Sequence, residues 1–426
     1  MDQAADKSLV KKYFPLAVAA GIGSMLGSGI IVGLAATITV WQQTLALTNA
    51  QVGFISGALT FAIAFGSIFG GRLAETVGLT RFFNWINLVY AIGAGIVMLA
   101  NSYAVLLTGV IITGLASGAD LPTSLTVVSH DAPDNKTSSS LVSATQIFWQ
   151  VGIFISYICS FAVSTLAGAT GARIVFAILT VFAVITWLWR TLSHKFKQFH
   201  EEADARYAKA GVQGGGAARA EKVSLTKVLF GKDKAKYLSI LLAITVFYVG
   251  WNLLANTWGQ FQTFMLVKAH ASQSLATGAG IVLNVIALIV SIIFASVAGG
   301  KHRNQAFFAG TVIMLVAMVG LAASTGDLWM IMAAIAFYNL GSPLAGEALY
   351  KVWTQESYPV EIRSSVQGLI NGFSRICCAL FAMITPALVV PSAIKTTMWA
   401  FAGIIVISFL GGLVMLRLQK RYGRLD

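Results

Sequence analysis

Two acids, two bases and a row of carboxamides stand inside apolar runs of this sequence. From Asn339 to Arg375 it reads NLGSPLAGEALYKVWTQESYPVEIRSSVQGLINGFSR. Glu347 and Lys351 lie in one apolar run, and Gln367, Asn371 and Arg375 follow along one side of the next. Between them is a charged turn, Glu356-Ser-Tyr-Pro359-Val-Glu-Ile-Arg363. A charge amid lipid costs about 2.5–3.5 kcal/mol or more, so ionisable residues there face a partner or a water-filled cavity. Asp120 is another such charge, in an earlier run. A buried carboxylate can take a proton from one side and release it to the other. The alternative is a structural ion pair, with Arg375 or Lys351 as the partner. Arg375 is about ten residues into its run, near mid-membrane at about 1.5 Å per residue. There it can clamp a carboxylate or phosphate, donate to sugar hydroxyls, or neutralise Asp120. Glu347 and Lys351, spaced i,i+4, share a helix face and read as a self-neutralising structural or gating pair.

The carboxamides suggest a second chemistry. In FYVGWNLLANTWGQFQTF, Asn252 and Asn256 share a face, and Trp258, Gln260 and Gln262 follow. Amides offer donor and acceptor together, and aromatic rings pack on C–H groups, which is what a hydroxyl-rich solute needs. Gln146, Gln150, Asn252, Asn256, Asn284, Asn339 and Asn371 form the supply, with Trp149 and Trp258 as stacking candidates. Each amide can instead join two helices, and each tryptophan can be packing or an interface anchor.

What must position these groups follows from composition. Hydrophobic residues make up 57% of the 426 residues and charged ones only 11%. Soluble domains carry about 25% charged residues, so no water-facing surface could be covered here. The expectation is an all-α membrane protein. Apolar runs of about 20 residues lie near 15–40, 51–71, 82–100, 104–128, 140–166, 172–192, 237–264, 275–299, 305–324, 328–354, 365–389 and 397–417. Those twelve spans divide into six-helix bundles at 1–193 and 237–426, with a cytoplasmic linker carrying a short helix at 194–236. The linker reads as a solvated connector, interrupted by Gly214, Gly215 and Gly216. The net charge of +13 sits in loops on alternate sides of the spans. It is therefore topogenic and not a nucleic-acid footprint, and it places both termini in the cytoplasm. The first run is too long for a signal peptide. Cys159, Cys377 and Cys378 all lie in apolar runs and form no spaced framework, so neither disulfide nor metal site is expected.

The chain also repeats. Gly71-Arg-Leu-Ala-Glu75-Thr-Val-Gly78-Leu-Thr-Arg81 follows the second span, and Gly299-Gly-Lys301-His-Arg303 follows the eighth, 228 residues on. Pro133 follows the fourth span and Pro359 the tenth, 226 residues apart. Two landmarks at nearly one offset argue for two similar halves, the usual build of secondary transporters.

With these residues the chain resembles the major facilitator superfamily along its whole length. Gly71-x-x-x-Glu75-x-x-Gly78-x-x-Arg81 is similar to that family's loop between spans two and three, although Thr76 stands where a basic residue is usual. Within the superfamily it resembles the sugar porters and their inositol-type relatives. Glu356-x-x-Pro359-x-x-x-Arg363 is similar to their turn after span ten, and Gln146, Gly152 and Tyr157 repeat a spacing in which the glutamine binds sugar. Arg173 is similar to the arginine that opens their span six. Three departures stand out. Leu26-Gly27-Ser28-Gly29 replaces the span-one aspartate of proton-coupled members, His130 replaces the acid before Pro133, and no Pro-Glu-Ser-Pro-Arg follows span six. A second resemblance runs to phosphate and organic-anion symporters, through Gly118-Ala-Asp120-Leu-Pro122, and to aromatic-acid porters through Asn371-x-x-x-Arg375.

The resemblance implies a multi-pass transporter of the cell membrane, without cofactor, acting as a monomer on a small-molecule solute. It works by alternating access around a site between spans one, four and five and spans seven, ten and eleven. A sugar or cyclic polyol such as inositol is the expected solute; an organic anion held by Arg375 is the alternative. Gln146, Trp149, Gln150, Asn252, Asn256, Trp258, Asn371 and Arg375 would bind the solute. Asp120 would couple protons, a role left open because Gly27 replaces the family carboxylate. Glu75, Arg81, Glu347, Lys351, Glu356 and Arg363 would gate. An embedded enzyme finds no support, for there is no His-Glu-x-x-His, no Walker loop and no paired catalytic acids within one span.

Overall fold

The computed structural model describes residues 7–209, 231, 233–297, 302–324, 326–358 and 360–423. Among them are fourteen α-helices. In the first half these are α1 (Lys7–Thr44), α2 (Asn49–Val77), α3 (Leu79–Met98), α4 (Tyr103–Asp131), α5 (Asn135–Ala162), α6 (Thr170–Leu192) and α7 (His194–Lys209). The second half holds α8 (Lys234–Lys268), α9 (Gln273–Val297), α10 (Arg303–Ala323), α11 (Leu328–Gly341), α12 (Glu347–Ser357), α13 (Val360–Leu388) and α14 (Ile394–Tyr422). Ten are long and apolar enough to cross a membrane, and α5 and α11 contribute shorter apolar stretches, Ile147–Ala162 and Leu328–Gly341. Backbone polar groups have no water to bond inside a bilayer, so a chain this apolar satisfies them within helices.

The chain divides into two compact units, residues 1–47 with 58–219, and residues 48–57 with 220–426. The pairing of helices recurs within each. In the first, α1 packs on α5, α4 and α6, and α3 packs on α4 and α6. In the second, α8 packs on α13, α12 and α14, and α10 packs on α11 and α14. A common pairing scheme is what the repeated loop landmarks imply.

Two of the prolines within spans have opposite outcomes. Pro122 lies within the continuous α4. Its ring removes the N–H that would bond the carbonyl of Gly118, and the Ser67 hydroxyl from α2 donates to that carbonyl at 3.0 Å instead. Near Pro343 the tenth span, expected as one run over 328–354, is broken into α11 and α12. Gly341 and Gly310 bring their backbones together there, and a Cβ on Gly341 would lie 2.5 Å from the Gly310 carbonyl oxygen. The freed Ser342 carbonyl accepts the Trp251 indole N–H at 3.1 Å, and Ser342 Oγ accepts it at 2.9 Å. Non-helical backbone survives at membrane depth only when its polar groups are answered in this way.

The connector helix also departs from expectation. Over His194–Lys209 it is helical, but it is not solvated on all sides. Phe196 and Phe199 are buried in one cluster with Tyr13, Leu16, Phe83, Val128 and Leu141, so α7 is part of the first unit's core. Its alternation of Phe, His and charged residues gives one apolar face, which the sequence reading left unpartnered. Gly214–Gly216 lie outside the described residues.

Candidate functional site

In the first unit the buried charges are closed on one another. Asp120 is buried on α4, and its partner is Arg190 of α6, not Arg375 or Lys351 as the sequence suggested. Arg190 Nη1 donates to Asp120 Oδ1 at 2.7 Å and Nη2 to Oδ2 at 3.3 Å. The same guanidinium donates to the carbonyls of Phe83 (3.0 Å) and Ala19 (2.9 Å), and lies 3.9 Å over the Phe83 ring. Ser124 Oγ donates to Asp120 Oδ1 at 2.9 Å. One arginine thus joins α1, α3, α4 and α6. Gly23 makes room for it, because a Cβ there would overlap the Asp120 carboxylate. Such a fork satisfies a buried carboxylate in the way a lysine cannot. Arg190 was missed because a base in the last turn of a span reads as an ordinary topogenic charge.

The expected α5 residues are less telling. The side chain of Gln146 lies outside the described residues. Trp149 and Gln150 are half-buried. Trp149 abuts α1 at Gly27, where a Cβ would come within 3.3 Å of its ring, and its carbonyl accepts the Ser28 hydroxyl at 2.7 Å. That contact is helix packing. At the loop between α2 and α3, Arg81 is exposed and the side chain of Glu75 is not among those described.

The second unit gathers polar groups from α8, α12 and α13. Asn252 Nδ2 donates to Ser374 Oγ at 2.8 Å, and the Tyr248 hydroxyl lies 3.4 Å from Asn371 Oδ1. Asn256 accepts from Gln260 at 2.9 Å. Tyr248 stacks on Trp251 and packs against Tyr350, their ring centroids 5.8 and 3.9 Å apart. Leu369, Phe373, Ile376 and Leu380 form the exposed apolar stripe of α13, which leaves Asn371, Ser374 and Cys378 on its inner side. Gly368 and Gly372 stand beside Asn371 and open onto free space, with nothing within 4 Å of a Cβ at either. Arg375, also half-buried, has no acid within 4.0 Å among the described residues. Ser374, Tyr248, Trp251 and Tyr350 escaped the sequence reading, which followed charges, amides and the two tryptophans Trp149 and Trp258.

Other expected residues fall elsewhere. Trp258 is buried against Tyr338 and Phe401, inside the bundle. Asn284 donates to its own helix at Gly280, and Asn339 joins α11 to the Leu283 carbonyl of α9. These two are structural amides. Glu347 and Lys351 pair with each other at 2.8 Å, as their spacing predicts, and both are about half exposed. Glu356 is held by Arg303 through a fork of 2.6 and 3.0 Å, with Gln419 donating at 3.0 Å. The neighbouring Tyr358 hydroxyl donates to the Tyr237 carbonyl at 2.8 Å, and burial pushes its pKa up, which keeps it a donor. Pro359 and the side chain of Arg363 are outside the described set.

Comparison with known proteins decides the family. The profile of the Major Facilitator Superfamily matches residues 17–382. The chain belongs to that superfamily. Among curated proteins this superfamily member is similar to the minor myo-inositol transporter IolF of Bacillus subtilis, 27% identical over 406 residues, covering 93% of this chain and 89% of that protein. It is also similar to the niacin transporter NiaP of Acinetobacter baylyi, 24% identical over 386 residues and covering 86% and 85%. Among solved structures, a D-xylose-proton symporter matches with a TM-score of 0.74 at 14% identity, over 96% of this chain and 97% of that one. The chain is a multi-pass membrane protein with this superfamily's all-helical fold.

Proposed function

We propose that this superfamily member carries a sugar or cyclic polyol, inositol being the leading example, across the cell membrane by alternating access. That mode suits a chain of two structurally similar halves. It acts as a monomer with both termini cytoplasmic. The observation that carries the reading is the wall in the second unit where Asn252, Ser374, Asn371 and Tyr248 stand together beside stacked aromatic rings. Such a wall offers donors, acceptors and a flat apolar face, which neutral polyols need and simple ions do not. Gln146, Trp149 and Gln150 of α5 are proposed as solute-binding residues of the first unit. Trp258 is left out because it is buried among other rings. The resemblance to an inositol transporter supports the same solute class.

Asp120 is proposed as the coupling acid, with protonation competing against Arg190. Glu75, Arg81, Glu347, Lys351, Glu356 and Arg363 are proposed to gate. One observation favours a second reading: Arg375 has no acid within 4.0 Å among the described residues, and a relative is named for a carboxylate, niacin. There Arg375 would clamp an organic anion. A thermal-shift panel of purified protein against myo-inositol, hexoses and small carboxylates separates the two, because ligand binding stabilises the native state by mass action. Stabilisation by polyols and not by carboxylates supports the first reading, and the reverse pattern replaces it with the second.

A further inference from the structure

A buried histidine–aspartate chain at the end of α4 takes no part in the proposed solute path. Asp131 is fully buried there. Its Oδ1 lies 2.9 Å from His130 Nδ1 and its Oδ2 lies 2.5 Å from Nδ1 of His200, on α7. The other nitrogen of His130, Nε2, is 3.5 Å from Asp204 Oδ1, also on α7. The geometry points to a proton-controlled latch, in which protonated His130 ties α7 to the end of α4.

The two imidazoles have different surroundings. A neutral imidazole carries one N–H, and only the cation donates from both nitrogens. At His200 neither nitrogen has a hydrogen-bond partner among the described residues, so its close approach to Asp131 Oδ2 asks for no second proton. His130 faces a carboxylate on each side, so only its doubly protonated ring can donate to Asp131 and Asp204 together. Docked α7 and imidazolium therefore favour one another. Loss of that proton sets a nitrogen lone pair against a carboxylate oxygen and releases the tie. Imidazole gains its second proton as pH falls, so the latch closes at lower pH and loosens at higher pH.

The remaining charges nearby are engaged elsewhere. Arg206 of α7 donates to the carbonyls of Asp131 (2.7 Å) and Ala132 (3.3 Å). Glu202 accepts from Lys12 and Tyr13 of α1, each at 3.2 Å. Asp134, beyond α4, accepts from Thr137. Arg190 of α6, on the Phe83 ring, is committed to Asp120, and Phe83 of α3 meets His200 edge-on. Phe196 and Phe199 hold α7 in either protonation state. Asp204 is 74% exposed and its tie is screened by salt, so the effect is severalfold.

Hydrogen–deuterium exchange of the full chain in lipid nanodiscs at pH 5.5 and pH 8, corrected for intrinsic exchange rates, tests this. The α7 amides should be severalfold better protected at pH 5.5. In His130→Gln the difference should vanish while α7 stays docked, and in His200→Gln it should persist. Asp204→Asn, on an exposed residue, should shrink the difference and decides the matter if the buried variants fail to fold. No pH dependence in the native chain, or undiminished dependence in His130→Gln or Asp204→Asn, overturns the latch.

Discussion

The two units share a helix-pairing scheme but treat their charges in opposite ways. In the first, among the described residues, each buried acid meets a base: Asp120 lies against Arg190, and Asp131 lies between two imidazoles. In the second, Arg303 at the start of α10 and Glu356 near the end of α12 are forked together, while Arg375, near the amides and rings of α8 and α12, has no acid within 4.0 Å among the described residues. A closed ion pair rigidifies a bundle. An open arginine beside amides is a surface with bonding capacity left to offer. Under the proposed function, scaffolding and coupling would fall chiefly to the first unit and solute recognition chiefly to the second.

The contrast reaches the turn after each unit's fourth span. The second unit places Glu356 there and clamps it with an arginine. At the equivalent place the first unit has His130, flanked by two acids. The polarity of the clamp is inverted, and a guanidinium is replaced by an imidazole.

Breaking the Asp120–Arg190 pair should have the largest effect. Arg190→Ala leaves a carboxylate buried and unpaired, a loss of about 3–5 kcal/mol. Folded yield on fluorescence size-exclusion should fall sharply, and the double change Asp120→Leu with Arg190→Met should recover much of it. In the second unit, Arg303→Met should cost roughly half as much, since Glu356 keeps partial access to solvent. Thermal melts of the two variants side by side compare the clamps directly.

Function should sort the other way. Arg375→Gln should change stability by less than about 1 kcal/mol yet cut uptake at least tenfold in liposomes. Retained polyol uptake with lost carboxylate uptake would instead move the account to the anion reading. Asp120→Asn should abolish accumulation against a gradient while leaving exchange intact; equal loss of both would mark Asp120 as a structural residue only. The smallest change is Asn252→Ala. It removes one neutral hydrogen-bonding group, about 1 kcal/mol, and should raise the apparent KM about fivefold at unchanged kcat.

The fold was legible because lipid imposes composition: spans and repeat follow from apolar runs and two loop landmarks, and the superfamily from the resemblance of the Gly71–Arg81 and Glu356–Arg363 motifs. The site was only partly legible. Intramembrane charges could be named, but not paired, since partners lie on helices distant in sequence; Arg190 is 70 residues from Asp120. Proline was equally ambiguous. Pro122 and Pro343 look alike in sequence, yet the first span stays whole and the second breaks. Ser67 answers the freed carbonyl within a continuous helix, whereas Trp251 answers one at a break bounded by glycines. A linear reading does not see which neighbour supplies the donor. The docking of α7 escaped for a related reason, as its apolar face is short and interleaved with charge.

Solute recognition by the second unit's polar wall is tested most directly by counterflow of labelled myo-inositol in liposomes. The native chain should exchange it, and the folded double variant Asn252→Ala with Asn371→Ala should not. Full-rate exchange by that variant, or none by the native chain while a carboxylate exchanges freely, would contradict the assignment.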